Sequence, residues 1–315
     1  MSGAGKARAC AVCGAVLRGP VAGFRFDCPA CGYACADLPV TIAALHGALR
    51  EDDRAQALAA LRARNFATVL DRLAACGAAP PRALLEVGCA HGWFLDAARA
   101  RGYAAAGIEP DGPIGAQAAA RGHPVSIGYF PAALAPGARY DVVAFNDVFE
   151  HLPDPRAALR DVRGALAPGG VVAINLPSSR GAIYRVANAL RAAGWRGPHD
   201  RLWQVGFPSP HLSYFHPDAL ARLAAREGFA EVDRVELPSV VRAGLWQRLR
   251  YDASASLPVR AATYLAVSVA LPVLAALPSD IVLQIFRAGD AAAAQRRADS
   301  GSAAGPAAGA TTATR

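Results

Sequence analysis

Four cysteines near the start of the chain carry the sharpest chemical signal. Cys10-Ala11-Val12-Cys13-Gly14 and Cys28-Pro29-Ala30-Cys31-Gly32 are two Cys-x-x-Cys-Gly knuckles. A two-residue gap lets both thiolates of a knuckle face one ion, and the glycine permits the tight turn behind them. Two knuckles together supply a closed tetrahedral set of sulfurs. Cys10, Cys13, Cys28 and Cys31 are therefore expected to hold a structural zinc, with a redox dithiol as the alternative. Cys35 falls outside the spacing and is expected to be a spare thiol. Cys76 and Cys89 lie inside apolar patterns and read as buried thiols.

A second signal is the run Leu84-Leu85-Glu86-Val87-Gly88-Cys89-Ala90-His91-Gly92-Trp93-Phe94-Leu95. An apolar strand enters a tight loop with glycines four apart, and a helix follows. Gly88 lets backbone approach a ligand closely, and Gly92 lets the helix start without a Cβ clash. The dinucleotide pattern Gly-x-Gly-x-x-Gly is missing, which argues against a nicotinamide cofactor. Glu109 closes the next apolar run, where a carboxylate can accept both hydroxyls of a ribose.

Further along, Asp147-Val148-Phe149-Glu150-His151 offers two acids and an imidazole. If a helical turn begins at Asp147, then Asp147, Glu150 and His151 share one face, able to bind a divalent cation such as magnesium or to place His151 as a general base. The alternative is a structural turn. His211-Leu212-Ser213-Tyr214-Phe215-His216-Pro217 brings a second pocket histidine, His211, with His216 as the cap of the helix that Pro217 opens. Beside them, His199, Trp203 and Tyr214 offer aromatic surface next to a cleft.

These groups need a scaffold that places strand ends side by side. Short apolar runs at Ala83–Val87, Tyr103–Ile108, Pro124–Ile127, Asp141–Asn146 and Val171–Leu176 alternate with helical stretches at Trp93–Arg101, Gly112–Arg121 and Asp154–Leu166. That alternation predicts a Rossmann-like α/β fold, a parallel sheet covered on both faces. Helices at Gly181–Ala193 and Pro217–Gly228 and strands at Phe229–Leu237 and Ile281–Arg287 complete seven strands. The expected organisation is a Cys-rich module at 1–40, a helical segment at 41–80, and the main domain at 81–288. Within that domain, 195–216 reads as a substrate-side loop and 240–279 as a helical insertion. The Ala/Gly/Thr/Ser tail at 289–315 has no periodicity and is expected to be disordered.

With motifs and order in hand, the chain resembles the class I S-adenosylmethionine-dependent methyltransferases, over roughly residues 80–290. The Gly88 loop resembles their first motif, and Gly107-Ile108-Glu109-Pro110-Asp111 their acidic second motif. Tyr140–Asp147 resembles the fourth-strand motif, and Leu166-Ala167-Pro168-Gly169-Gly170 the turn before the fifth strand. The resemblance implies a mostly parallel sheet whose last strand is antiparallel. It implies S-adenosylmethionine as cofactor, with Glu86, Gly88 and Gly92 walling the methionine part and Glu109 binding the ribose. Asn146 and Asp147 would line the cleft near the methyl group, and Cys89, Ala90 and Pro110 complete the cofactor set. Ala90 stands where the family often has glycine, a mild departure unless φ is positive there. The acid-x-x-Glu-His run and the His-x-x-Tyr-Phe run are similar to those of small-molecule O-methyltransferases, including those of ubiquinone biosynthesis. A zinc ribbon ahead of this domain matches a bacterial subgroup. O-methylation of a small molecule or lipid precursor is the implied activity, and a non-catalytic adaptor the alternative.

Composition bounds the partners. The 315 residues carry a net charge of +8, but Lys occurs once and the arginines are scattered among alanines. No basic run interleaved with aromatics suggests nucleic acid. Clustered cysteines and no cleavage site after Ala9–Leu17 suit the cytoplasm. No charged residue lies between Arg260 and Asp280. The preferred reading of that stretch is a helix or helix pair packed on the sheet, and the alternative is peripheral contact of 257–279 with a membrane. The pattern leaves the oligomeric state open.

Overall fold

A computed structural model describes residues 8–41, 51–251 and 256–289; the expected tail lies almost wholly outside these. Near the N-terminus, short strands β1 (Arg18–Val21), β2 (Arg25–Asp27) and β3 (Ala34–Ala36) form an antiparallel sheet. Helix α1 (Glu51–Leu73) follows, then an irregular turn in which Gly77 takes φ 78° before the Pro80–Pro81 stop.

The main unit begins with β4 (Ala83–Val87), α2 (Trp93–Ala100), β5 (Ala104–Glu109), α3 (Gly112–Ala120), β6 (Val125–Ile127) and β7 (Tyr140–Asn146). Next come α4 (Pro155–Ala165), β8 (Leu166–Pro177), α5 (Ala182–Ala192), α6 (Gly197–Leu202), β9 (Ser213–Tyr214), α7 (Pro217–Arg226) and β10 (Phe229–Leu237). The last described elements are α8 (Leu245–Tyr251), α9 (Leu257–Ala276) and β11 (Ile281–Ala288). Seven strands make one sheet in the order β10-β11-β8-β7-β4-β5-β6. Strands β4 to β8 run parallel, and β11 is antiparallel to both β8 and β10. This is the expected Rossmann-like α/β fold.

Alternating side chains send each strand's two sets to opposite faces. Leu85, Val87, Val143, Phe145, Val172 and Ile174 pack with Leu159 and Val162 of α4 and Leu220 and Leu223 of α7. Leu84, Val142, Ala144, Val171 and Ala173 pack with Val69, Leu70 and Leu73 of α1 and Phe94 and Leu95 of α2. The start of α4 matches its sequence signal: the Asp154 carboxylate accepts from the amides of Arg156 at 3.0 Å and Ala157 at 2.9 Å, with Pro155 at the first helical position. His216 caps α7 through a bond from the Asp218 amide.

Two expectations need correction. The 195–216 segment is not a loop throughout. It contains α6 and β9, and its Trp203 and His199 are fully buried against Phe24 rather than bordering a cleft. The 257–279 stretch does not pack on the sheet. It forms one helix, α9, with no buried residue, leaning on α8, which in turn lies on α1. Both sheet faces are already filled by α1, α2, α4 and α7, so the insertion is left outside the core.

Candidate active site

The carboxyl ends of β4, β5 and β7 meet where the strand order turns back on either side of β4, the position where such sheets bind ligands. Gly88 follows β4 with φ 74°, and a Cβ there would stand 2.6 Å from a Val148 methyl, so only glycine fits. Ala90 also has positive φ, 44°. The departure from glycine is therefore not mild, because an L side chain in this region is strained by roughly 1–2 kcal/mol.

Glu109 holds the loop in this shape. Its Oε2 accepts from the Ala90 amide at 2.9 Å and its Oε1 from the Asp111 amide at 2.9 Å. Each carboxylate oxygen keeps a second lone pair for a hydroxyl of a ligand. Burial raises the Glu109 carboxyl above its ordinary value, against the pull of those two amides. Pro110 follows it, half-buried. The Cys89 side chain points into the core against Gly107, where burial pushes its thiol up, so it can serve a ligand through backbone only.

Glu86 is buried beneath the loop, and Asn146 Nδ2 donates to its Oε1 at 2.9 Å. Its Oε2 is buried with no hydrogen-bond partner among the described residues. Burial pushes this carboxyl up to about 8. A buried carboxylate with one unsatisfied oxygen suits a cationic ligand group, such as the ammonium of a methionine moiety. By that measure the residues present fit S-adenosylmethionine.

Asp147 sits at φ 54°, with its amide bonded to the Asn175 carbonyl at 2.9 Å, and the tight turn Phe149–His151 follows. The expected helical turn from Asp147 therefore does not form. The trio that converges is Glu150, His151 and His211, with ligating atoms within 4.8 Å of one another. Nε2 of His151 and Nε2 of His211 each stand 3.9 Å from Glu150 Oε1, and the rings are 4.9 Å apart. Both Glu150 oxygens are buried without a hydrogen-bond partner among the described residues, and burial raises this carboxyl well above its ordinary value.

The hydrogen bonds orient both rings. His151 Nδ1 donates to the Pro210 carbonyl at 2.8 Å. Tyr214 Oη gives its proton to the Leu202 carbonyl at 3.0 Å, so His211 Nδ1 must donate to Tyr214 across 3.2 Å. Gln204 then donates to His211 Nε2 at 2.8 Å. Nε2 is thus the unprotonated nitrogen of each ring, facing Glu150 at 3.9 Å in both, and in His211 its lone pair is held by the Gln204 amide. A cavity of about 310 Å³ opens here, lined by Ser178, Tyr184, Gln204, His211, Tyr214 and Asp280 among others. Tyr184 and Gln204 carried no local signal in the sequence; distant segments bring them here.

The cysteine module supports this side of the cleft. Cys10 and Cys31 sulfurs lie 3.6 Å apart, and Cys13 and Cys28 sulfurs 3.4 Å apart. A tetrahedral zinc–thiolate site has sulfur–sulfur edges of about 3.8 Å. All four sulfurs cluster within 4.8 Å, and Cys35 is outside the group. Strand β3 pairs with β9, matching Cys35 to Ser213 and Ala34 to Tyr214, and the Tyr33 hydroxyl meets Ser213 at 2.8 Å. Arg25 reaches Asn188 and His199 at 2.5 and 2.9 Å.

Fold and site together define a class I S-adenosylmethionine-dependent methyltransferase. A family model described as a methyltransferase domain matches residues 54–233, and the chain belongs to that family. A ubiquinone biosynthesis O-methyltransferase of Methylobacterium sp. (strain 4-46) is 27% identical over 179 residues, covering 53% of this chain and 67% of that protein. Among solved structures, a proposed sarcosine dimethylglycine methyltransferase of Galdieria sulphuraria superposes with a TM-score of 0.50 at 14% identity, covering 80% of this chain and 94% of that one. The cyclopropane synthase MmaA2 of Mycobacterium tuberculosis does so with a TM-score of 0.50 at 16% identity, covering 70% and 82%. The chain is an enzyme, and the family implies a methyl acceptor.

Proposed function

We propose that the enzyme methylates an oxygen of a small-molecule acceptor seated beside His151 and His211. The observation that carries this reading is the pair of imidazoles that converge on one buried carboxyl, with His211 also lining a cavity. S-adenosylmethionine supplies an electrophilic methyl on a sulfonium. Glu109 would hold its ribose and Glu86 its ammonium, while Gly88, Ala90, Gly92 and Pro110 shape the wall, with Asn146 and Asp147 nearest the methyl. On the acceptor side, Tyr184 and Tyr214 offer ring surface that orients the acceptor. His151 Nε2, or His211 Nε2 once the Gln204 amide releases it, takes the hydroxyl proton as the new carbon–oxygen bond forms. The O-methyltransferase similar to this chain supports an oxygen acceptor.

A second reading is favoured by the two unsatisfied Glu150 oxygens: Glu150, His151 and His211 hold a divalent cation that binds the acceptor hydroxyl. Two imidazoles and one carboxylate suit zinc, manganese or iron better than magnesium, which prefers all-oxygen sites. In both readings the four N-terminal cysteines hold a structural zinc, and seven free thiols suit the reducing cytoplasm. The domain division is 1–40, 41–80 and 81–288.

The test is a panel of phenolic and aliphatic hydroxyl acceptors with His151→Gln and His211→Gln. Either variant should lower kcat by about a hundredfold or more while S-adenosylhomocysteine binds unchanged by calorimetry. Parent-like turnover in both variants would remove the base. Restoration of parent activity by added manganese or zinc after chelation would select the cation reading.

A further inference from the structure

Helix α9 inverts the usual order of a surface helix. Its outward positions include Leu265, Val269 and Val273, exposed by 66%, 70% and 63%, where soluble helices carry charge. Its 20 residues carry one charge, Arg260 in the first turn, and none is buried. Twenty helical residues extend about 30 Å, so the bare apolar surface is long as well as continuous. A helix apolar on every side matches a surrounding apolar solvent better than one flat protein face.

The way α9 is tethered decides how it can meet a bilayer. Trp246 of α8 packs edge-on against Tyr264 at 5.7 Å, so the middle of α9 is tied to the body. Only Leu277–Asp280 separate its end from β11, whose Ile281 pairs with Pro177 and Leu237. Four extended residues reach about 14 Å, too little to return across a hydrocarbon layer of about 30 Å. A span is excluded while β11 stays in the sheet, and the helix can only lie in the surface layer.

Charge and cavity agree on the orientation. Among the described residues, Arg242, Arg250 and Arg260 lie just before or within the first turn of α9 and make that approach basic. Pro177 is the carboxyl end of β8, so α9 returns at the end of the sheet that carries the active site. There, Leu271, Leu274 and Leu277 line a cavity of about 500 Å³ whose charged groups are Arg64, Arg242, Glu236 and Asp280. That cavity shares Ile183, Ser239, Val240 and Asp280 with the cavity at His211.

We propose that α9 seats the enzyme on an anionic bilayer, lying in its surface layer with the mouth of the acceptor cavity turned toward the lipid. The seating stands whatever the acceptor proves to be. The test is flotation of the full chain with phosphatidylglycerol-containing vesicles and with phosphatidylcholine vesicles, for the parent and for Leu265→Glu/Val269→Glu. Both positions are exposed, so the fold should hold, and unchanged S-adenosylhomocysteine binding checks it. The parent should float with the anionic vesicles, more weakly with neutral ones, and the variant should bind about tenfold less or weaker. A parent that floats with neither, or a variant that floats like the parent, would overturn the proposal. So would a parent dimer in light scattering that the same variant splits, because α9 would then be covered by a second copy.

Discussion

The proposed cofactor side and the proposed acceptor side are joined along the chain between Asn146 and His151 but are assembled by different means. On the cofactor side, Glu86, Gly88, Glu109, Asn146 and Asp147 stand at or just beyond the ends of adjacent strands. The sheet register alone brings them together, and two amide bonds lock Glu109 across the loop. The acceptor side gathers Glu150 and His151, Tyr184, Gln204 and His211, and braces them with β3 through β9. One side is set by secondary structure, and the other by tertiary contacts that reach back to the N-terminal module. A local lesion should therefore damage only one of them.

The strongest test of that separation is Glu109→Ala. It removes a carboxylate that orders the loop and is placed for the ribose hydroxyls, at a cost of about 3 kcal/mol or a hundredfold in affinity. Calorimetry with S-adenosylhomocysteine should show that loss, with Tm lowered by a few degrees as the Ala90 and Asp111 amides lose their acceptor, and an unchanged Kd would move the ribose elsewhere. Next in size is the double change Cys28→Ser, Cys31→Ser. Loss of the metal should loosen β3, and with it His211 and Tyr214, lowering turnover about tenfold or more while the cofactor Kd holds. A parallel loss of cofactor binding would mean that the two sides are one cooperative unit.

Glu86 sharpens the same contrast through pH. Its folded value of about 8 lies above the ordinary 4.5, so the unliganded protein keeps this contribution fully below about 4.5 and loses it as pH rises toward 8. An ammonium beside Glu86 would favour the carboxylate, so binding at pH 7 should release close to one proton. That release appears as a dependence of calorimetric enthalpy on the buffer's ionisation enthalpy. Glu86→Gln should abolish it, weaken cofactor binding about tenfold, and make the unliganded protein more stable than the parent at pH 8. A parent that binds without releasing a proton would separate Glu86 from the ammonium.

The same contrast governs what could be seen in the sequence. The convergence of the residues proposed for the cofactor was legible because each sits beside a strand end, and strand ends are announced by short apolar runs such as Leu84–Val87. The cluster of four cysteines was legible because a Cys-x-x-Cys-Gly pair fixes its own geometry. The acceptor side was legible only in part. His151 and His211 carry their own short motifs, but their meeting depends on the Leu212 amide bonding the Glu150 carbonyl at 2.8 Å, a contact without sequence periodicity. The helical turn at Asp147 failed because the chain leaves β7 through a left-handed residue. Helix α9 was read correctly as apolar and helical, yet its apolar residues look the same whether they face a core or a bilayer.

The smallest effect is the most local. Ala90 holds φ 44° while its amide bonds Glu109, so the bond offsets the strain that the side chain brings. Ala90→Gly should relieve roughly 1–2 kcal/mol of that strain and return about half of it through the freer unfolded chain. The net gain of about 0.5–1 kcal/mol corresponds to a rise in Tm of about 1–2 °C for a chain of this size. In the Glu109→Ala background the loop is free to relax, and the same substitution should gain nothing. A double-mutant cycle therefore reads the coupling between one backbone torsion and the carboxylate that enforces it. Equal gains in both backgrounds would mean that the torsion is imposed by the flanking Gly88 and Gly92 turns, and that Glu109 is placed for the cofactor alone.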